Sequence, residues 1–232
     1  MPPAAPPLRR RRALRAVSTL LIVAGALLLA DGLATLAWKE PVTAVYARVQ
    51  QNRLGDELEA LERAEPAPAE RRPLEQLPDR RRRLGFAARA LARRTGPGDP
   101  VGRLRAPAIG LSAVVVEGTD GATLRTGPGH YPETALPGQR GTVAIAGHRT
   151  TYGAPFRRLD DLERGDRIEL AMPYGRFAYR VERARIVAPT AVEVVERVAY
   201  DRLVLTACHP LYSASERIVV FARLELARPR FR

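Results

Sequence analysis

The sequence predicts an all-β domain, a sandwich or barrel with short helices, carried behind an N-terminal membrane-spanning helix and a helical, Pro-rich linker. Three observations carry that prediction. Beyond Pro100 the chain runs as short β-branched segments separated by Gly, Pro and Asp, with no long helix between them. Before Pro100, apolar residues recur instead at helical spacings among Gln, Glu and Arg. Ahead of both, residues 16–38 form an apolar stretch long enough to cross a bilayer.

The anchor comes first in the chain. Residues 1–15 form a basic tail holding Arg9, Arg10, Arg11, Arg12 and Arg15. The next 23 residues, Ala16 to Trp38, rise ~35 Å as a helix, against a hydrocarbon core of ~30 Å. Arginines before the stretch and Trp38-Lys39 after it fit the positive-inside rule and interfacial anchoring. That orientation makes the chain a single-pass protein of the cell membrane, its N-terminus cytoplasmic and its main domain extracellular. Asp31 opposes it, since a mid-membrane carboxylate costs ~2.5–3.5 kcal/mol, unless it sits near the outer interface or is protonated. A cleaved signal peptide with its apolar core at Ala16–Ala30 is the rival reading; apolar character resuming after Asp31 favours a retained anchor.

Residues 39–100 read as an extracellular linker. Val42, Val45, Val49, Leu54, Leu58 and Leu61 predict a helix over 41–65, stopped by Pro66-Ala67-Pro68 and Pro73. A second, basic helix fits 80–94 and ends at Gly96-Pro97-Gly98-Asp99-Pro100. It reads either as a solvated linker or as a segment drawn to an anionic lipid or wall surface.

Charge adds less than its size suggests. The 232 residues carry a formal net charge of +13, which invites a nucleic-acid or membrane partner. Residues 1–39 and 71–94 supply +5 and +7 of it, while residues 95–232 hold only +5. The β domain lacks a basic stripe with interleaved aromatics, so nucleic-acid binding is not expected. An ordinary apolar fraction of 46% excludes a wholly disordered chain.

Within residues 101–228, the expected catalytic domain, strands are predicted at 101–106, 113–117, 142–147, 167–172, 176–188, 203–207 and 217–226. A short helix is predicted over 155–163. Some 130 residues suffice for one core. Two of these strands end on reactive side chains. Thr142-Val143-Ala144-Ile145-Ala146-Gly147 delivers His148, and Leu203-Val204-Leu205-Thr206-Ala207 delivers Cys208, the single cysteine. A loop of eight residues then returns the chain at Arg217. This hairpin places Cys208 and Arg217 on one rim.

Those residue types suit an exported cysteine enzyme. A thiol of pKa ~8.5 needs a His or cationic neighbour to supply thiolate near neutral pH. The same His can protonate an amine leaving group and later deprotonate an attacking amine. Arg keeps its proton, so it can hold a carbonyl or a developing oxyanion. One cysteine excludes a disulfide framework and a multi-cysteine metal site; no metal and no cofactor are expected, and Asp160, Asp161 and Glu163 read as a solvated helix face.

At these residues the chain resembles the sortases, cysteine transpeptidases that attach proteins to the Gram-positive cell wall. Ala146-Gly147-His148-Arg149, Leu205-Thr206-Ala207-Cys208 and Arg217 match the family's His, Cys and Arg in order. Gly127-Pro128-Gly129-His130-Tyr131-Pro132, the run from Gly147 to Phe156, and Cys208-His209-Pro210 are similar to the class E sortases of actinobacteria. The resemblance spans about residues 101–226. It implies an eight-stranded closed β-barrel and cleavage of a Leu-Pro-x-Thr-Gly or Leu-Ala-x-Thr-Gly sorting signal between Thr and Gly. Cys208 would form a thioester, His148 would transfer protons, and Arg217 would steady the oxyanion. The implied partners are secreted proteins bearing the signal and an amine of a peptidoglycan precursor. Tyr131, Thr206, Ala207 and His209 are the expected substrate-side residues, Tyr131 for the position after Leu.

One departure stands out. Ala207 replaces the family's usual Thr before the nucleophile, which removes any hydroxyl contact from that position. It is the one residue favouring the alternative of a catalytically weak, sortase-like module that binds wall peptides. A cysteine enzyme of the L,D-transpeptidase kind, acting on peptidoglycan stems, is a third reading.

Overall fold

Apolar runs that cannot stay in water decide the architecture of this chain, and they do so differently in its two compact units, Met1–Pro41 and Val42–Arg232. The computed structural model describes residues 8–37 and 41–230. In the first unit, helix α1 runs Leu8–Ala37. Its stretch Leu14–Leu33 is apolar over 20 residues, about 30 Å of helix and thus enough for a bilayer core. By length and composition the stretch suits a retained anchor or a signal sequence equally. Residues 1–7 of the basic tail and the Trp38-Lys39 flank lie outside the described residues.

The second unit is a closed barrel of eight strands. They are β1 Pro100–Ala106, β2 Leu111–Glu117, β3 Gly129–His130, β4 Thr142–Ala146, β5 Arg167–Met172, β6 Gly175–Val187, β7 Arg202–His209 and β8 Glu216–Pro229. Around the barrel the order is β1-β2-β3-β4-β7-β8-β6-β5, and β1 pairs with β5 to close it. Pairing is antiparallel except between β2 and β3 and between β4 and β7. Seven strands stand where the apolar runs predicted them. The two-residue β3 is the addition, held between Val116-Glu117 and Ile145-Ala146.

Alternation sorts the side chains between two faces. Leu203, Leu205 and Ala207 of β7 point into the barrel core, as do Ile218, Val220 and Ala222 of β8 and Val143 and Ile145 of β4. The alternate residues Ala144, Val204, Val219 and Phe221 form a smaller apolar cluster on the outer face. Tyr131, Val187, Val194 and Val195 pack over that cluster.

The expected linker is largely part of this unit. Helix α2 (Pro41–Arg63) buries Leu54 and Leu58 against Val114 and Val116, on the outside of β2. Gln51 fastens it: its Nε2 donates to the carbonyls of Val114 and Thr126, and its Oε1 accepts from the Val114 N–H. Pro68 starts a short helix, α3 (Pro68–Gln76), where its missing N–H costs nothing; the sequence reading placed a stop there. Helix α4 (Arg80–Ala92) is capped by Asp79, whose carboxylate accepts from the Arg82 N–H. Its Leu84, Ala87, Ala88 and Leu91 join the main barrel core. The solvated-linker reading of 80–94 is thereby corrected: one face of the helix is core, and the arginines occupy the other.

Helix α4 lies at the Thr142 end of β4. Arg81 pairs there with Asp201, and Arg81, Arg82 and Arg89 line a cavity of about 660 Å³ with Arg140, Arg197 and Thr142. Six residues of extended chain, about 20 Å, separate Thr142 from His148. The basic segment therefore does not cover the His148 end. The short helix expected over 155–163 is reduced to a 3-10 turn, Leu159–Asp161. Phe156, Leu159 and Leu162 are all buried in the core, and that packing shapes the loop more than its helix propensity does.

Because Leu91 is fully buried, Leu91→Ala should lower stability by about 2–5 kcal/mol. A thermal melt of the full chain measures it. A change within about 0.5 kcal/mol, normal for a solvated position, would contradict the placement of α4.

Candidate active site

Two strand pairings build the site. β4 and β7 run parallel with Ala146 opposite Thr206, and the Gly147 N–H continues the ladder to the Thr206 carbonyl at 3.0 Å. His148 and Cys208 each follow two residues after that pair, on adjoining segments of the chain. β7 and β8 run antiparallel with Cys208 directly opposite Arg217. Parity does the rest. Cys208 follows Val204 and Thr206 onto the outer face, and Arg217 shares that face with Val219 and Phe221. Cys208 is half-buried and unpaired. The three residues read from the sequence thus lie at the same end of three adjoining strands, beside the outer apolar cluster.

Gly147, just after β4, has no room for a side chain. A Cβ there would sit 2.7 Å from the ring of Phe156, which is fully buried, so only glycine fits. Phe156 returns the favour through its backbone: its N–H donates to the His148 carbonyl at 2.9 Å. The loop after His148 is therefore anchored in the core.

His148 is held in a dry, positive setting. Its Nε2 is buried with no hydrogen-bond partner among the described residues. The ring of Tyr152 packs on it with centroids 5.2 Å apart. Burial, and then the nearby Arg125 guanidinium, hold the imidazole below its usual pKa of 6.5. Protonating His148 therefore opposes folding: its contribution to stability is present above pH 6.5 and is lost as pH falls through the folded-state value.

Arg149, the next residue, was missed by sequence reasoning and proves central. It is 3% exposed, and its guanidinium pairs with Asp160 Oδ1 at 2.6 Å and donates to the Arg157 carbonyl. A further N–H reaches His209 Nδ1 at 3.1 Å. Arginine can only donate, so Nδ1 of His209 accepts. The contact ties the residue after His148 to the residue after Cys208. His209, expected on the substrate side, instead commits one ring nitrogen to this clasp. Asp160, expected on a solvated helix face, is the carboxylate that makes the buried cation tolerable.

The other expected substrate-side residues divide by face. Tyr131 lies over the outer cluster, and its hydroxyl meets Thr206 Oγ1 at 3.1 Å. Thr206 is 5% exposed, so it supports Tyr131 from beneath. Ala207 departs from expectation: its methyl points into the barrel core, away from the outer face that carries Cys208. Arg217 Nη1 donates to the carbonyls of Ala214 and Glu216, and among the described residues its Nη2 and Nε make no such bond. The wall beside the floor is held by Arg202, whose Nη2 donates to the Val194 and Glu196 carbonyls.

Replacing Arg125 by Gln removes the cation acting on His148, and the His148 titration midpoint should move up toward 6.5. The imidazole C–H resonance, one of three histidines, reports it by NMR. An unchanged or lower midpoint would show that burial alone sets the value.

Comparison with known proteins gives this geometry a family. A sortase domain model matches residues 104–225, more than half of the chain. Sortase D of Bacillus subtilis (strain 168) is 32% identical over 130 residues, covering 54% of this chain and 64% of that protein. Sortase SrtE1 of Streptomyces coelicolor is 29% identical over 150 residues, covering 58% of this chain and 43% of that protein. The chain thus spans less than two thirds of the length of these curated relatives. Among solved structures, sortase E from Streptomyces avermitilis is 34% identical with a TM-score of 0.54, over 58% of this chain and 93% of that one. A Clostridium perfringens sortase D5 transpeptidase shares the fold at 22% identity and a TM-score of 0.61, over 77% of this chain and 99% of that one. A domain match of that extent, laid over a barrel of the same fold, makes this chain a member of the sortase family.

Proposed function

We propose that the protein is a membrane-anchored cysteine transpeptidase that joins secreted proteins to an amine of the cell envelope. The observation that carries the reading is the register of β7, which sets Cys208 opposite Arg217 and beside β4, the strand that leads into His148. The substrate is a sorting signal of the Leu-Ala-x-Thr-Gly or Leu-Pro-x-Thr-Gly type, lying in the groove over Tyr131. The helix α1 spans the membrane with its N-terminus cytoplasmic, and the barrel works outside.

In the first step the Cys208 proton passes to His148, and the sulfur attacks the Thr carbonyl carbon. Arg217 stabilises the oxyanion that forms. Collapse breaks the Thr–Gly C–N bond, and the departing Gly amine takes the proton from His148. A thioester remains on Cys208. An amine of a peptidoglycan precursor then attacks that carbonyl and gives a proton to His148. The C–S bond breaks, and the thiolate recovers the proton. A depressed imidazole pKa supports both halves: charged His148 donates readily, and uncharged His148 prevails at neutral pH for the incoming amine.

The reading as a wall-peptide-binding module without catalysis rested on Ala207. That methyl faces the barrel core, so its identity does not bear on substrate contact, and the module reading loses its support.

The full chain in detergent should cleave fluorogenic peptides of one or both signal types and form a thioester adduct on Cys208 visible by mass spectrometry. Cys208→Ala should abolish both. Arg217→Ala should lower kcat by about 10²–10³, the size expected for losing an oxyanion donor. Cleavage that survives Cys208→Ala, or wild-type protein inert toward both peptides, would sink the proposal.

A further inference from the structure

We propose that α2, the helix following the apolar anchor, is a positioning element of the active site: Thr43 and Tyr46 clamp Tyr152 as a lid on His148. The proposal rests on the reading of His148 as the proton-transfer group and extends it to residues far away in sequence.

The backbone beneath the lid needs holding. Tyr152, Gly153 and Ala154 lie consecutively in the left-handed region, with φ of 50°, 74° and 46°. Two of the three carry a Cβ, which disfavours that conformation. Such a run persists where surrounding contacts over-determine it. The Ala154 N–H donates to the Thr151 carbonyl at 2.8 Å, which closes the turn from inside. The Arg157 N–H donates to the Ala154 carbonyl at 3.0 Å, and α2 adds contacts from outside the loop. The Tyr152 N–H donates to Thr43 Oγ1 at 2.9 Å, across 109 residues. The ring of Tyr46 meets that of Tyr152 edge-on, 6.4 Å between centroids and 72° between planes. Ala47 is buried below Gly153, where an added Cβ would come within 3.3 Å of its own.

Tyr152 transmits this hold to His148 through the ring contact at 5.2 Å. Arg125 lies over the same tyrosine ring at 5.9 Å and acts on the imidazole. The other titratable or charged groups around His148 are Arg149, committed to Asp160 and His209, and Cys208 and Arg217 on the neighbouring strands. None of them takes the place of α2 in holding Tyr152. Thr43 lies ten residues beyond Leu33, the end of the apolar stretch. The contacts that seat the imidazole thus begin close in sequence to the anchor.

The test uses the full chain in detergent with Thr43→Val, Tyr46→Ala and the conservative Thr43→Ser and Tyr46→Phe. Two readouts are taken: kcat and KM on the fluorogenic Leu-Ala-x-Thr-Gly peptide across pH, and the His148 NMR titration. Thr43→Val and Tyr46→Ala should each lower kcat on the order of tenfold and leave KM nearly unchanged, since the floor at Tyr131 and Thr206 is untouched. Both should raise the His148 midpoint and the acid limb of kcat/KM, because the imidazole loses its cover. Thr43→Ser and Tyr46→Phe should behave as wild type. An unaltered kcat and midpoint in Thr43→Val and Tyr46→Ala would overturn the proposal. So would loss of activity in Thr43→Ser equal to that in Thr43→Val, which would mark a packing defect. A gain of activity in Tyr46→Ala would overturn it too, by making α2 an inhibitory cover. If the wild type cleaves no peptide, the transpeptidase reading fails, and the midpoint shift alone decides whether α2 seats His148.

Discussion

The register of β7 between β4 and β8 is the constraint on which the rest of this structure depends. A strand exposes alternate residues on opposite faces, so a slip of one position would send Cys208 into the core and bring Ala207 out to the groove. Two ladders prevent the slip. Five parallel pairs hold β7 to β4, and eight antiparallel pairs hold it to β8. The inner side chains Leu203, Leu205 and Ala207 are all buried in the main core, so the slip would also expose apolar surface and bury a threonine. Placing the thiol on the outer face is thus a by-product of keeping leucines dry. Cys208 makes no demand of its own on the fold.

Strand ends alone would leave His148 loosely placed, because it lies beyond the ladder. Its loop is fastened three times over. Phe156 plugs the core and bonds the His148 carbonyl; Arg149 reaches across to His209; Tyr152 is tied to α2. The Arg149 fastening is costly in principle, since a guanidinium 3% exposed has given up its hydration. Asp160, the Arg157 carbonyl and His209 replace that hydration at the two Nη atoms with directed bonds, while Nε is buried without a partner among the described residues; paired, directed bonds of that kind are the condition under which a buried charge is tolerated. Arg202 follows the same logic on the opposite wall, where it bonds Thr142, Val194 and Glu196 and lies over Phe221 at 5.2 Å. Arg149 and Arg202 are thus arginines that do structural work beside the site.

How much of this was legible in the sequence follows from the range of each interaction. Apolar runs and their breakers are local, and they disclosed seven strands, α2 and α4. β3 was invisible because two residues carry no period; its pairing is supplied by β2 and β4. The buried face of α4 is an i, i+3, i+4 pattern, Leu84, Ala87, Ala88 and Leu91, that small alanines and a run of arginines disguised. His148, Cys208 and Arg217 were readable because each is fixed by a strand end and a short hairpin. Ala207 was misread against a rule already in hand: adjacent strand residues face opposite ways, so a thiol in the groove puts its neighbour in the core. Arg149 with His209, and Thr43 with Tyr152, join positions 60 and 109 residues apart. No local pattern encodes such pairs.

These long-range ties bear on what counts as the working unit. The sortase domain match covers 104–225, yet the compact unit begins at Val42. The difference is more than a margin. Residues before 104 supply Leu54 and Leu58 on the outside of β2, Leu84 and Leu91 in the barrel core, and Thr43 and Tyr46 against the His148 loop. A barrel cut at 104 would keep Cys208 opposite Arg217, because that pair belongs to one hairpin. It would lose the contacts that hold Tyr152 in its left-handed turn, and with them the cover on His148. Nucleophile and oxyanion partner belong to the barrel; the setting of the imidazole belongs to barrel and α2 together.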